Sequence, residues 1–450
     1  MDMEMPDVIA VPFPYQGHLN PMLQFCSSLS GRGVRVTLVL THGVAKSMPQ
    51  STLSQPFHTV ECVSDGTDVG SFPRNFEELT RLPAAVSEGL SAIIQNQKKV
   101  SGGSAPKILV HDAMMPWLVE VGREGGLRVA SLFTQPASLC AIYYHMLHGH
   151  VVEQLTHSML RLPSLPEMEL RDLPSFSQFA DTAKQFAELS FCQASNLPKA
   201  DCFLINTFDS LEDQVVKWMA DRWSVKTVGP LVPILHKDRI DLFEFDGESY
   251  VQWLDIRESK SVVYLSFGSS GVFTEEQMEE IAWGLAQSNK YFIWVVRESQ
   301  QVKLPKDFKS KISEKGVIVK WCPQVEVLSH KAIACFMTHC GWNSTLEALC
   351  LGVPMVCMPH FVDQPTNAKL VEDVWKVGVR VKANEKGIVT RQEVESCIKQ
   401  VMEGEKVQEF QRNAIKWKGL AKEATSEGGS SYVNINDFVS QMTFVKSHFN

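Results

Sequence analysis

Residues 321–364 read WCPQVEVLSHKAIACFMTHCGWNSTLEALCLGVPMVCMPHFVDQ, and the fold follows from how this stretch has to be laid out. Residues 333–338 form an apolar run of strand length, 344–351 carry a helical pattern stopped by Gly352, and 353–357 return to strand. Strand, helix, strand in that order makes a parallel pair joined by a crossover helix. Between the first strand and the helix lies His339-Cys340-Gly341-Trp342-Asn343-Ser344. A turn of this kind presents open backbone N–H groups and the positive end of a helix dipole, which suits an anion. Gly341 lets the backbone approach closely, and His339, Asn343 and Ser344 add side-chain donors. Glu347 lies one turn into the helix and faces the same way, as a carboxylate able to accept from a diol. Ser344-x-x-Glu347 equally fits a structural capping box.

The same alternation continues on both sides of the box. Ahead of it come strands at 261–267, 291–296 and 316–320, with a helix opened by Thr274 and a capping-box partner at Gln277. After it comes a helix from Thr390 with Glu393 as its box glutamate. The first half predicts strands at 8–12, 34–40, 107–110 and 129–133, with helices at 21–29, 117–122 and 139–147. Gly229-Pro230, Pro233 and the charged residues 236–246 interrupt the rhythm. The expected architecture is therefore α/β: two doubly wound, parallel-sheet domains at 1–230 and 250–432, with a linker at 231–249. A helical tail at 433–450 is expected to pack back on the first domain. Ligands favour the cleft that such an arrangement leaves.

Composition narrows the function classes. In the 450-residue chain, 44% hydrophobic and 21% charged residues are ordinary for a soluble globular protein, and a net charge of -8 disfavours nucleic acid as a partner. The start, MDMEMPDVIAVPFP, is acidic where a leader would be basic. No apolar run approaches the roughly 18 residues of a membrane span, so a cytoplasmic protein is expected. The 11 cysteines are odd in number and scattered, which reads as reduced thiols. His330, Cys335, His339 and Cys340 lack the Cys-x-x-Cys pairing of strong zinc sites, so no metal is expected. The residues after the first strand, Phe13-Pro14-Tyr15-Gln16-Gly17-His18, lack the glycine fingerprint of a dinucleotide site.

His18 is placed as the end of that first loop, ahead of Asn20-Pro21 as N-cap and first helical residue. The helix N-terminus favours a neutral imidazole there. Asp112 follows the strand at 107–110, and carboxyl ends of parallel strands share one sheet edge, so the two can be neighbours. A carboxylate behind an imidazole fixes its tautomer and stabilises the charge it acquires as a base. Strand alternation turns the adjacent His111 to the opposite face. Taken alone, a histidine at a helix start is more often structural than catalytic.

The stretch 321–364 closely resembles the signature box of the plant family 1 UDP-glycosyltransferases, and residues 13–22, 263–269 and 428–431 extend the resemblance along the chain. It implies a GT-B fold of two facing Rossmann-like domains, with the acceptor mostly on the first and a UDP-sugar on the second. By resemblance Trp321 stacks on uracil, Gln324 bonds the ribose or base edge, and His339, Asn343, Ser344 and Ser269 hold the diphosphate. Glu347 binds the ribose. Trp342, Asp363, Gln364 and Thr134 meet the sugar, with Gln364 both donating and accepting. Gln16-Gly17-His18-Leu19-Asn20-Pro21 resembles the family's catalytic-histidine loop, with Gly17 counted among the donor contacts, and His111-Asp112-Ala113 resembles the segment carrying its aspartate. Glutamine at 364 goes with glucose in the family. Cys322 and Met358 replace its commoner alanine and tryptophan.

The implied reaction is inverting transfer from UDP-glucose to a small hydrophobic acceptor, by a monomer without cofactor or metal. Another UDP-sugar, or UDP-sugar binding without turnover, are the alternatives. Tyr15, Met114, Trp117, Tyr143 and Phe361 are candidates to line an apolar acceptor pocket.

Overall fold

A computed structural model describes residues 7–48, 59–67, 76–100, 108–154, 157–176, 183–233, 249–269, 271–312 and 314–443. In the first sheet the strands are β1 (Asp7–Val11), β2 (Arg35–Thr41), β3 (Thr59–Val63), β4 (Ile108–Asp112), β5 (Arg128–Phe133), β6 (Cys202–Ile205) and β7 (Val225–Thr227). Their order is β3-β2-β1-β4-β5-β6-β7, and every pairing is parallel. The second sheet holds β8 (Val262–Ser266), β9 (Tyr291–Val295), β10 (Gly316–Val319), β11 (Ile333–Thr338), β12 (Met355–Cys357) and β13 (Gly378–Arg380). It is also all parallel, in the order β10-β9-β8-β11-β12-β13. The inner strands β4 and β8 are buried at every residue, which explains their apolar runs at 108–110 and 262–265. In both sheets the order reverses beside the first strand, at β1/β4 and at β8/β11. Strand carboxyl ends there open toward a ligand crevice.

Two compact units contain these sheets. The first gathers the described residues up to Glu167, those from Phe176 to 233 and those from Glu423 onward; the second gathers Met168–Ser175 and 249–422. The segment Met168–Ser175 therefore leaves the domain to which its sequence position assigned it. Its buried Asp172 needs cations, and Arg380 donates to it at 2.7 Å while Lys369 lies 3.7 Å away. Thr366 Oγ1 donates to the Asp172 carbonyl at 2.7 Å, and Ser175 pairs with Val362 as an antiparallel bridge. Most of the linker expected at 231–249 lies outside the described residues. The C-terminal helix runs Ser430–Thr443, with Ile435 and Phe438 in the first unit's core and Asn434 Nδ2 donating to the Thr227 carbonyl at 3.0 Å. No described helix is long and apolar enough to cross a membrane, and none of the cysteines is paired.

Three local expectations are corrected. The first helix is Gln16–Ser30, with Pro21 inside it, because the Tyr15 carbonyl already accepts the N–H groups of His18 and Leu19, both at 2.9 Å. His18 thus belongs to the first helical turn and does not end a loop. Thr274 and Thr390 do cap their helices, accepting from Gln277 N at 3.2 Å and Glu393 N at 3.4 Å. The reciprocal half of each box is absent. Gln277 exchanges two 2.9 Å bonds with the Val389 backbone, and Glu393 accepts from Lys382 N at 2.9 Å. Both side chains tie one element to another instead of closing their own helix.

Candidate active site

The first unit's polar groups gather where β1 meets β4. Asp112, the last residue of β4, is 0% exposed; its Oδ2 lies 2.9 Å from His18 Nδ1 and its Oδ1 accepts Met114 N–H at 2.9 Å. An ionised carboxylate only accepts, so the proton sits on Nδ1 and the lone pair on Nε2. Thr134, one residue past β5, places Oγ1 2.9 Å from the same Nδ1. Gly17 precedes His18 in the helical turn. His111 is turned away: its Nδ1 donates to the Asp112 carbonyl at 2.8 Å and its Nε2 pairs with the Ser131 hydroxyl at 2.8 Å. Burial pushes it down to about 4, so it is a neutral structural group.

In the second unit the polar groups gather where β8 meets β11. The helix after β11 is Trp342–Leu351 with Gly341 as N-cap, two residues earlier than the sequence pattern suggested. Trp342, Asn343 and Ser344 are therefore the first helical residues, whose N–H groups have no intrahelical carbonyl to bond. Ser344 is no longer at a cap position, which removes the capping-box reading of Ser344 and Glu347. His339 is wedged between two glycines: a Cβ on Gly268 would meet its Nε2 at 2.7 Å and one on Gly341 at 2.5 Å. Burial, opposed in part by the Ser266 carbonyl, lowers His339 to about 4. It is a neutral ring. Ser269 follows Gly268 directly and is half-buried.

Gln324 opens the helix Gln324–Ser329 and holds Ser344 and Glu347 together. Its Nε2 donates to Ser344 Oγ at 2.8 Å and to Glu347 Oε2 at 2.6 Å, while its Oε1 accepts from the Tyr264 hydroxyl at 3.3 Å. Both amide hydrogens are thus committed inside the protein, and Oε1 keeps one acceptor position beside the Tyr264 hydroxyl. Trp321 stands just beyond β10 and is nearly buried, and the Trp342 ring is buried against Trp375 with ring centres 6.0 Å apart. An indole packed there lends the turn its backbone more than its ring.

Asp363 stands at the N-cap position of the helix Gln364–Lys369 without a side-chain capping bond. Asn367 Nδ2 donates both to Asp363 Oδ2 at 2.7 Å and to the Cys340 carbonyl at 2.8 Å, locking this helix to the His339 turn. Gln364, 4% exposed, has its Oε1 occupied by the N–H groups of His360 at 2.8 Å and Phe361 at 3.1 Å. It was expected to donate and accept; with the oxygen taken, its amide is left as a donor. Among the acceptor candidates Tyr143 is 0% exposed and packs on Phe191, so it is core. Sequence reasoning passed over Gly268, Tyr264 and Asn367. Gly268 follows β8 much as Gly341 follows β11, and Asn367 lies one helical turn from Asp363, which are signals that local spacing did carry. Among the described residues no group of three or more His, Cys, Asp or Glu could hold a metal ion.

One parallel-sheet unit thus holds a helix start with a carboxylate one turn on, and the other a histidine backed by a buried carboxylate, an arrangement that fits the GT-B glycosyltransferases, which use a nucleotide-linked sugar. Comparison with known proteins makes this specific. Residues 240–424 match the family described as UDP-glucoronosyl and UDP-glucosyl transferase, and residues 5–52 match the glycosyltransferase N-terminal domain. UDP glycosyltransferase 9 of Catharanthus roseus is 47% identical over 97% of both chains, and UDP-glycosyltransferase 74E2 of Arabidopsis thaliana is 44% identical over 96% of this chain and 98% of its own. The solved structure of Os79 from O. sativa in complex with UDP superposes with a TM-score of 0.87 at 36% identity, covering 97% of this chain and 100% of that one. The chain belongs to the plant UDP-glycosyltransferase family and is a UDP-sugar-dependent glycosyltransferase acting on small molecules.

Proposed function

We propose that the protein transfers glucose from UDP-glucose to a hydroxyl of a small hydrophobic acceptor with inversion, giving a β-glucoside. The observation that carries this reading is the 2.9 Å bond from His18 Nδ1 to the fully buried Asp112, which leaves Nε2 as a base. In the proposed step Nε2 takes the acceptor's hydroxyl proton and the acceptor oxygen attacks the anomeric carbon. The bond from that carbon to the UDP oxygen breaks, and the electron pair leaves with the diphosphate. Asp112 stabilises the imidazolium that forms.

The helix start at residues 342–344, with Asn343, Ser344, Ser269 and neutral His339, receives the charge that develops on the leaving diphosphate. Trp321 covers the uracil and Glu347 accepts from the ribose hydroxyls. Gln324 serves by holding Glu347 and Ser344 in place. Asp363 and the Gln364 amide bind the sugar, one as acceptor and the other as donor, and Gln364 supports glucose as that sugar. Gly17 lends backbone beside the base. UDP, the nucleotide held in the solved Os79 complex, is the product this reading releases.

The test is a panel of phenolic, carboxylic, steroid and terpenoid acceptors incubated with UDP-glucose. Mass spectrometry would register hexose addition and proton NMR the anomeric configuration. A β-glucoside on at least one acceptor class supports the reading. UDP-glucose binding without turnover on the whole panel, or an α-linked product, counts against it.

A further inference from the structure

We infer that Thr134 is a positioning residue for the catalytic base, sharing the His18 Nδ1–H with Asp112. The inference rests on the proposed role of His18 as base. Oγ1 of Thr134 and Oδ2 of Asp112 each lie 2.9 Å from that one nitrogen. Asp112 brings no hydrogen, so Nδ1 carries one. A nitrogen that already bears its hydrogen in the ring plane cannot accept from a hydroxyl, so Thr134 accepts too, and the N–H is shared in a three-centre bond.

The backbone delivers Thr134 rigidly to this place. On the β4/β5 ladder Asp112 pairs with Leu132, and Ala113 N–H donates to the Leu132 carbonyl at 2.9 Å, so Thr134 follows two residues after Asp112's own partner. Just beyond it the helix Ala137–Leu147 begins, and its first N–H groups, of Ala137 and Ser138, donate to the buried Glu212 carboxylate at 2.9 and 2.8 Å. Thr134 itself is 2% exposed. Held by β5 on one side and by the Glu212-bound helix start on the other, its hydroxyl is a fixed acceptor. The ring therefore has two anchors on Nδ1, each able to keep Nε2 free of hydrogen if the other is lost. A threonine whose task was sugar binding would not need this contact with the imidazole.

The test is a double-mutant cycle with donor kinetics. Thr134→Val keeps the volume and removes the acceptor; kcat on an alcohol acceptor is expected to fall about three- to tenfold, the size of one neutral hydrogen bond, with KM for UDP-glucose within about twofold. Thr134→Ser should restore kcat. In Asp112→Ala the remaining anchor is Thr134, so the double variant should lose more than the product of the two single losses. In the Asp112→Ala background, ¹⁵N NMR of labelled histidine should show Thr134→Val moving His18 toward the tautomer with hydrogen on Nε2. If Thr134→Val does not fold, Thr134→Ala carries the same arms.

A raised KM for UDP-glucose with kcat and tautomer unchanged would make Thr134 a sugar contact and overturn the inference. Simple multiplication of the single effects would overturn it as well. Full turnover by His18→Ala would instead overturn the base assignment, whatever Thr134 does. Loss in His18→Ala beside an indifferent Thr134→Val would sink this inference alone.

Discussion

Replacing Gly268 by alanine puts a methyl group into space that the His339 imidazole occupies. The new carbon would sit 2.7 Å from Nε2 and 2.8 Å from Cε1, where comfortable contact begins at about 3.5 Å. The ring must move by most of an ångström, away from the turn at which we propose that it serves the diphosphate. Gly268 also has φ 70°, which costs a residue with a Cβ about 1–2 kcal/mol. Two effects are thus expected together, and Gly387 separates them: its φ is 77° and nothing lies within 4 Å of its would-be Cβ. Gly387→Ala should lose the strain energy alone and bind UDP as before. Gly268→Ala should lose a similar amount of stability and, in addition, one hydrogen bond to a charged phosphate. Such a bond contributes about 1.5–3 kcal/mol, so UDP should bind about 10- to 150-fold more weakly. Calorimetric titration with UDP and urea unfolding of both variants measure the two quantities. If Gly268→Ala binds UDP within twofold of Gly387→Ala, His339 does not hold the diphosphate.

Other outcomes follow from the same geometry. Asp112→Asn keeps an oxygen near His18 but not the charge, so UDP affinity should persist while kcat falls by about tenfold or more; an unchanged kcat would make Asp112 structural only. Because the Gln364 oxygen is occupied, a sugar hydroxyl that inverts leaves its amide donor unpaired, at about 1–3 kcal/mol. UDP-glucose should exceed UDP-galactose by about tenfold or more in kcat/KM in a direct competition, and equal use of both would remove Gln364 as the selector. His111, His145 and His339 are each lowered to about 4 by burial. The unfolded chain takes up protons below about 6.5 that the folded chain refuses down to about 4, so stability should be full above that range and fall through it on acidification. For fully buried His111 the loss is at most about 3 kcal/mol, and urea unfolding between those pH values should show a shallower slope for His111→Gln; an identical slope would contradict its neutral burial.

What the sequence reveals and what it conceals divides along physical lines. Strands β1, β2, β4, β5, β8, β9, β11 and β12 stand out as apolar runs because they lie inside the sheets and are largely buried, and the edge strand β10 stands out by its apolar residues alone. Strands β3, β7 and β13 do not: all three are at sheet edges, β3 buries only Val63 of its five residues, and the other two have three residues each. The phosphate-ready turn is legible because strand end, Gly341 and helix start are contiguous. The roles of Gln324 and Gln364 are not, since each depends on where the amide's other atoms are already spent, on Glu347 and Tyr264 in one case and on the backbone of His360 and Phe361 in the other. Likewise Asn20-Pro21 looks like a helix start by residue type, but the Tyr15 carbonyl starts the helix sooner. The pairing of His18 with Asp112 required only that both lie at the carboxyl ends of neighbouring parallel strands, whereas the second anchor at Thr134 required the β4/β5 register.

The central claim is that the base and the nucleotide site are separate devices on separate units, and one variant tests it most directly. His18→Ala should bind UDP with wild-type affinity and lose nearly all transfer of glucose from UDP-glucose to an alcohol acceptor, because only the proton acceptor has been removed. Wild-type turnover by His18→Ala on that acceptor, measured as product formed per enzyme at saturating UDP-glucose, would contradict the account.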